Sequence, residues 1–167
     1  QITESGTLPK GYEKDDRTYT VEVTVQDNGE GVLVATPVYK VGDDTVENIS
    51  FNNIYTAETT LTLTAKKTVN GQAPENYQNS TFAFTLTPQN GAPGAVQTVK
   101  NDGKGNVSFE PITYSVEDAG KTYTYQVEES ETTPQGYTRD HTVYTVSVKV
   151  DDNRDGSLSS TVTYMKS

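Results

Sequence analysis

The chain has 167 residues, 32% of them hydrophobic, and carries a net charge of −10; its mean hydropathy is −0.68. So acidic a surface repels nucleic acid and anionic lipid, which excludes both as expected partners, and no apolar run approaches the roughly 18 residues that cross a bilayer. With no cysteine and a single histidine, His141, disulfides and thiolate metal sites are excluded, a Ser-His-Asp triad has little to draw on, and no metal or cofactor is expected.

Low hydrophobicity with high charge is a signature of disorder, but this chain is dense in Thr, Val and Tyr, which suit a pleated, half-buried surface. Val21, Val23 and Val25 alternate with Glu22 and Thr24, the period-two mark of a strand. Ile49, Phe51, Asn53 and Tyr55 then share one parity. So do Leu61, Leu63, Ala65, Lys67 and Val69, and after them Phe82, Phe84 and Leu86. Tyr123, Tyr125, Val127 and Glu129 follow, then Tyr144, Val146, Val148 and Val150. Turn clusters separate these runs: Val69-Asn70-Gly71, Gln89-Asn90-Gly91, Asn101-Asp102-Gly103 and the segment Asp151 to Gly156. The only helical signal is a single turn at Glu117-Asp118-Ala119-Gly120. Short strands with regular turns predict an all-β fold, an antiparallel β-sandwich of immunoglobulin-like type.

Shifting the chain by 125 residues lays 1–42 on 126–167 without a gap, and 19 of the 42 pairs are identical. Glu4, Pro9, Gly11, Tyr12 and Asp15 meet Glu129, Pro134, Gly136, Tyr137 and Asp140. A period of that length fits a whole domain rather than a short-repeat solenoid. The expected organisation is a tandem array read out of phase. Residues 1–56 form the last part of one bead, 57–60 a linker, and 61–167 the next bead without its closing strand.

Three polar residues sit on otherwise apolar strand faces. Lys67 continues the face of Leu61, Leu63 and Ala65; Glu129 continues that of Tyr125 and Val127, and its mate Glu4 follows Ile2; Asn53 lies between Phe51 and Tyr55. Lys and Glu are seldom buried unless paired, so the bland reading puts all three at strand ends with their heads in water. Together they suggest chemistry. A lysine taken out of water favours its neutral, nucleophilic form, and a desolvated carboxyl its protonated form. A protonated carboxyl can polarise a carboxamide, so that the amine attacks it, ammonia leaves and an isopeptide bond remains. Such a bond forms once per molecule, as self-modification rather than enzymatic turnover.

At these residues the chain resembles the streptococcal pilin isopeptide-linkage repeats, relatives of the collagen-adhesin B-type (CnaB-type) domains of Gram-positive pili and surface adhesins. The matching motifs run from Lys67-Thr68-Val69-Asn70-Gly71 through Phe82, Phe84 and Leu86 to Gly105-Asn106-Val107-Ser108-Phe109 and Ile112-Thr113-Tyr114. Tyr123 to Glu129 and the closing strand Phe51-Asn52-Asn53-Ile54-Tyr55 complete the set. The resemblance implies Lys67 as nucleophile, Glu129 and Glu4 as catalytic acids and Asn53 as acceptor. Lys66, Glu128 and Asn52, of opposite parity, should face outward. It also implies a secreted, cell-wall-anchored stalk whose partners are neighbouring repeats or other copies in a covalent fibre. By the repeat, the Asn partner of Lys67 falls at position 178 and the Lys partner of Asn53 precedes Gln1. A fragment of a longer array is therefore expected, the alternative being that one chain's end completes another chain's bead.

Other signals are weaker. Asp151-Asp152-Asn153-Arg154-Asp155-Gly156 matches the start of an EF-hand, but the expected closing Glu is Val162, so a hairpin turn is the better reading. A host-protein or glycan-binding adhesin on the same fold is the alternative function, and a large exposed apolar patch would favour it. No acidic pair stands out as a hydrolase site.

Overall fold

In the computed structural model, which describes residues 1–166, the period-two runs become strands and the chain divides into two units, Gln1–Thr56 and Ala57–Ser167. No helix among the described residues is long and apolar enough to cross a membrane.

The first unit holds β1 (Ile2–Thr3), β2 (Tyr12–Glu13), β3 (Thr18–Asp27), β4 (Leu33–Val41), β5 (Asp44–Val46) and β6 (Ile54–Tyr55). A four-stranded antiparallel sheet runs β1-β3-β4-β5, and β2 pairs with β6. Its main anchor is Tyr19, buried edge-to-face on Phe51 at 5.2 Å with its hydroxyl donating to the Ser50 carbonyl at 2.6 Å.

The second unit holds β7 (Glu58–Leu61), β8 (Thr64–Lys66), β9 (Ala83–Gln89), β10 (Gln97–Lys100), β11 (Asn106–Ser108), β12 (Ile112–Ser115), β13 (Thr122–Glu129), β14 (Val143–Asp152) and β15 (Leu158–Lys166). A five-stranded antiparallel sheet, β10-β9-β13-β14-β15, forms one layer; the pairs β8–β11 and β7–β12 supply the other. Leu86, Tyr125, Val127, Val146, Val148 and Val150 from the large sheet are buried, as are Leu63, Val107, Ile112 and Tyr114 from the other layer. Each such side chain contributes about 1.5–3 kcal/mol of burial. Two single 3-10 turns, Pro74–Asn76 and Val116–Asp118, are the only helical pieces among the described residues. The second falls beside the predicted turn at Glu117, closed by Asp118 accepting the Ser115 N–H.

Two polar atoms in this core are paired with each other. The Tyr114 and Tyr125 hydroxyls lie 2.8 Å apart, and Tyr125 donates to the Pro93 carbonyl at 3.0 Å. Burial pushes both phenols above their ordinary value. Tyr125→Phe strips partners from the Tyr114 hydroxyl and the Pro93 carbonyl, so it is expected to cost about 1–3 kcal/mol. A urea unfolding midpoint equal to that of the parent would contradict this.

Residues 57–60 are not a linker. Ala57 is buried and Glu58–Leu61 is a strand whose Thr59, Thr60 and Leu61 pair with Tyr114, Thr113 and Ile112. Two β-branched threonines before a leucine suit a strand, and a partner on β12 supplies the ladder. The hairpins β3–β4 and β14–β15 coincide under the 125-residue shift, from Asp27↔Leu33 against Asp152↔Leu158 to Tyr19↔Val41 against Tyr144↔Lys166. The Asp151–Gly156 segment is the tip of the second hairpin, with the Asn153 N–H donating to the Ser157 carbonyl. Burial differs sharply between the two copies. Val148 and Val150 are 0% exposed, whereas their mates Val23 and Val25 are 56% and 57% exposed. The strand period is the same, but no strand of residues 1–56 covers the face that β7, β8, β11 and β12 help enclose in the second unit.

Candidate functional site

Lys67 and Glu129 meet in the second unit. Lys67 directly follows β8, where its main-chain N–H donates to the Gly105 carbonyl at 2.7 Å. Beyond it the chain reverses through Asn70 and Gly71, both at positive φ (50° and 79°), between the bridged Val69 and Gln72. That is the backbone an Asn-Gly turn favours. Glu129 ends β13 with the inward parity of Tyr125 and Val127, opposite Phe84. The Lys67 ammonium donates to Glu129 Oε2 at 2.7 Å and stands 4.1 Å from the centroid of the Phe82 ring, which packs edge-to-face on Tyr137. Side-chain exposure is 12% for Lys67 and 3% for Glu129. The other carboxylate oxygen, Glu129 Oε1, is buried with no hydrogen-bond partner. An unpaired buried oxygen of this kind costs free energy until a donor reaches it. A cleft lined by Ala65, Phe84, Val127, Asp140, Thr142 and Tyr144 opens onto the pair.

The neighbours of opposite parity behave differently. Lys66 is exposed, donating to the Lys104 carbonyl and Asn106 Oδ1. Glu128 is partly exposed and pairs with Arg139 at 2.9 Å. Arg139 also donates from Nε to the Glu129 carbonyl, which fixes the end of β13.

Glu4 and Asn53 meet in the first unit. Asn53, just before β6, donates from Nδ2 to Glu4 Oε1 at 2.8 Å. The main-chain N–H of Asp15 is shared between Glu4 Oε2 at 3.1 Å and Asn53 Oδ1 at 3.2 Å. Asp15 Oδ2 in turn accepts the Asn52 N–H at 2.7 Å, and Arg17 grips the Asp15 carboxylate through Nε and a terminal nitrogen. Asn52 is exposed as its parity predicts, but so is Asn53, which parity would bury. In the second unit the Lys67 ammonium, which packs on Phe82, sits on the Glu129 carboxyl; residues 1–56 contain no counterpart of either, and the Asn53 carboxamide is exposed.

The structure thus brings Lys67 to Glu129 and Asn53 to Glu4, a lysine half and an asparagine half in separate units. Asp15, Phe82 and Arg139 were missed as parts of the site. For Asp15 the signal was present, since it is one of the identities with Asp140 under the shift, but parity does not read a residue in a loop.

Asp15 makes the first unit sensitive to acid. The Arg17 guanidinium, and after it the Asn52 N–H, holds the Asp15 carboxyl well below its ordinary value of 3.8. A depressed native value means stabilisation present above 3.8 and lost as pH falls below it. In the folded state the carboxylate stays ionised through pH 3.8, so the Asn52 and Asn53 signals in an NMR acid titration are expected to hold there and to shift only well below it, and Asp15→Asn to displace them already at neutral pH. Signals unmoved in both cases would contradict this.

A family model described as FctA, Spy0128-like isopeptide containing domain, matches residues 1–56 and 63–167. Among curated proteins no relative matches the chain.

Proposed function

The chain belongs to this family of isopeptide-containing domains, and from that premise we propose that it is a shaft module of a Gram-positive surface pilus or fibrillar adhesin, secreted and held at the cell wall, whose units are closed by Lys–Asn bonds that they form themselves. The observation that carries this reading is Glu129: one oxygen holds the Lys67 ammonium and the other is buried without a partner, the vacancy a carboxamide Nδ2 would fill. In the first unit Asn53 Nδ2 donates to Glu4 in that manner.

The chemistry needs no cofactor. Glu129 takes a proton from the Lys67 ammonium, and the freed amine attacks Cγ of an asparagine brought beside it. The Nζ–Cγ bond forms as the carbonyl electrons move to oxygen. Collapse of the tetrahedral intermediate breaks Cγ–Nδ2, and the two protons lost by Nζ leave with the amide nitrogen as ammonium, delivered through the carboxyl. The fold supplies proximity and exclusion of water, the two effects that make an unactivated amide reactive. The event occurs once per unit, so it is self-modification and not turnover. The partners are neighbouring repeats, or other copies in a covalent fibre.

The ligand-binding reading has less support. Val23, Val25 and Leu33 in the first unit are exposed, but their mates Val148, Val150 and Leu158 are buried. The patch thus has the pattern of a core face rather than a docking surface for a host protein or glycan.

The test is intact mass. The chain lengthened after Ser167 by a second copy of its residues 43–56, which puts an asparagine at position 178, is expected to lose the mass of one ammonia on folding. A lengthened chain that folds and keeps its full mass sinks the crosslink.

A further inference from the structure

We infer that Asp15, and Asp140 in the second unit, is a positioning residue for bond formation, a role that rests on the reading above: its carboxylate clamps the closing strand just before the asparagine, and its main-chain N–H faces the carboxamide oxygen.

In the first unit, where a closing strand is seated, Asp15 makes both contacts. Oδ2 accepts the N–H of Asn52 at 2.7 Å, which fixes the residue before the acceptor in register. The Asp15 N–H lies 3.2 Å from Asn53 Oδ1 and 3.1 Å from Glu4 Oε2, so one donor ties the carboxamide to the carboxylate. As an amine attacks Cγ, Oδ1 is the atom that gains negative charge. A fixed main-chain N–H aimed at it lowers the barrier as an oxyanion donor does. The donor is itself held, because Asp15 Oδ1 accepts the N–H two residues on, at Arg17 (3.0 Å), and Arg17 braces the carboxylate.

Asp140 has the same local fold. Its Oδ1 accepts the Thr142 N–H at 2.9 Å, and the residue lines the cleft that opens onto Lys67 and Glu129. Burial marks the difference between the two states. Asp15, under its closing strand, is 8% exposed, whereas Asp140 is exposed. The Asp140 carboxylate thus lies at the cleft where an asparagine-bearing strand would enter. Arg17 is replaced by Thr142 at the equivalent position, so the guanidinium brace belongs to the first unit and the clamp to both.

The experiment follows ammonia loss by mass in the lengthened chain after dilution from urea, with sheet formation followed separately by circular dichroism. Asp140→Ala is expected to slow ammonia loss by about 10- to 100-fold while sheet formation keeps its rate, because the clamp orients the acceptor rather than building the sandwich. Ammonia loss at the parental rate overturns the inference and leaves the crosslink standing. A slowing matched by equal slowing of sheet formation also overturns it, by reducing Asp140 to a folding role. A parent that never loses ammonia removes the crosslink itself and the role of Asp140 with it. In the unextended chain, Asp15→Ala is expected to abolish the distinct shift of the Asn53 carboxamide in NMR spectra, and an unchanged shift overturns the clamp in the first unit.

Discussion

Glu129→Ala in the lengthened chain is expected to leave a folded protein that keeps its ammonia. The substitution removes the only acceptor that the Lys67 ammonium has at hydrogen-bond distance among the described residues, and with it the group proposed to carry protons from the amine to the departing nitrogen. General acid–base assistance of this kind is worth roughly 10²–10⁴-fold, so the variant is expected to keep its ammonia over the time in which the parent loses it. Two stability effects accompany it. The largely buried ammonium loses its counter-charge, at about 3 kcal/mol. The missing bond would have closed a loop of about 110 residues between Lys67 and the asparagine, worth on the order of 4–5 kcal/mol by analogy with disulfides. Urea unfolding of the parent and of Glu129→Ala, with intact mass on the same samples, reads both effects. Full ammonia loss in the variant would remove Glu129 from the chemistry.

Gly105→Ala is the second large effect, and it acts on the same site through the backbone. Gly105 sits at φ +85°, and a Cβ there would lie 2.0 Å from the Lys67 carbonyl oxygen and 3.0 Å from Pro74. The positive φ alone costs a non-glycine residue about 1–3 kcal/mol. The clash is with main chain and cannot be relieved by turning a side chain, so a total on the order of 4 kcal/mol is expected. The segment that must yield is the one carrying Lys67, because the Lys67 N–H donates to the Gly105 carbonyl. The variant should therefore also show a weakened Lys67–Glu129 pair, visible as a changed Nζ resonance in NMR spectra at neutral pH. A thermal midpoint within a degree or two of the parent's would contradict the close approach.

Both effects rest on features that differ in how far they could be read beforehand. The strands were legible because alternation is a local property. Val146, Val148 and Val150 had to share a face, and Glu129 had to share that of Tyr125 and Val127, wherever those faces ended up. The 125-residue identity also required two hairpins of one register, and β3–β4 and β14–β15 have it. Strand parity put Lys67, Glu129, Glu4 and Asn53 on inward faces before any contact was known. It had no means of stating which faces would be covered. Val23 and Val25 have the alternation of Val148 and Val150 and are exposed, and Asn53 is open where parity would bury it, because burial depends on a second layer and not on the strand's own period.

The amino-acid sequence by itself determined the all-β class, the hairpin registers and the polar residues set on apolar faces, since each follows from the two-residue pleat and from turn chemistry at Asn-Gly and Asp-Gly sites. Tertiary structure alone decided that Glu58–Leu61 is a strand, that Lys67 reaches Glu129 while packing on the Phe82 ring, and that Glu129 keeps one oxygen unpaired. It alone brought the Asp15 N–H to Asn53 across 38 residues of chain. These are contacts between segments far apart in the chain, fixed by how layers stack and loops return, and no period within a single strand encodes them.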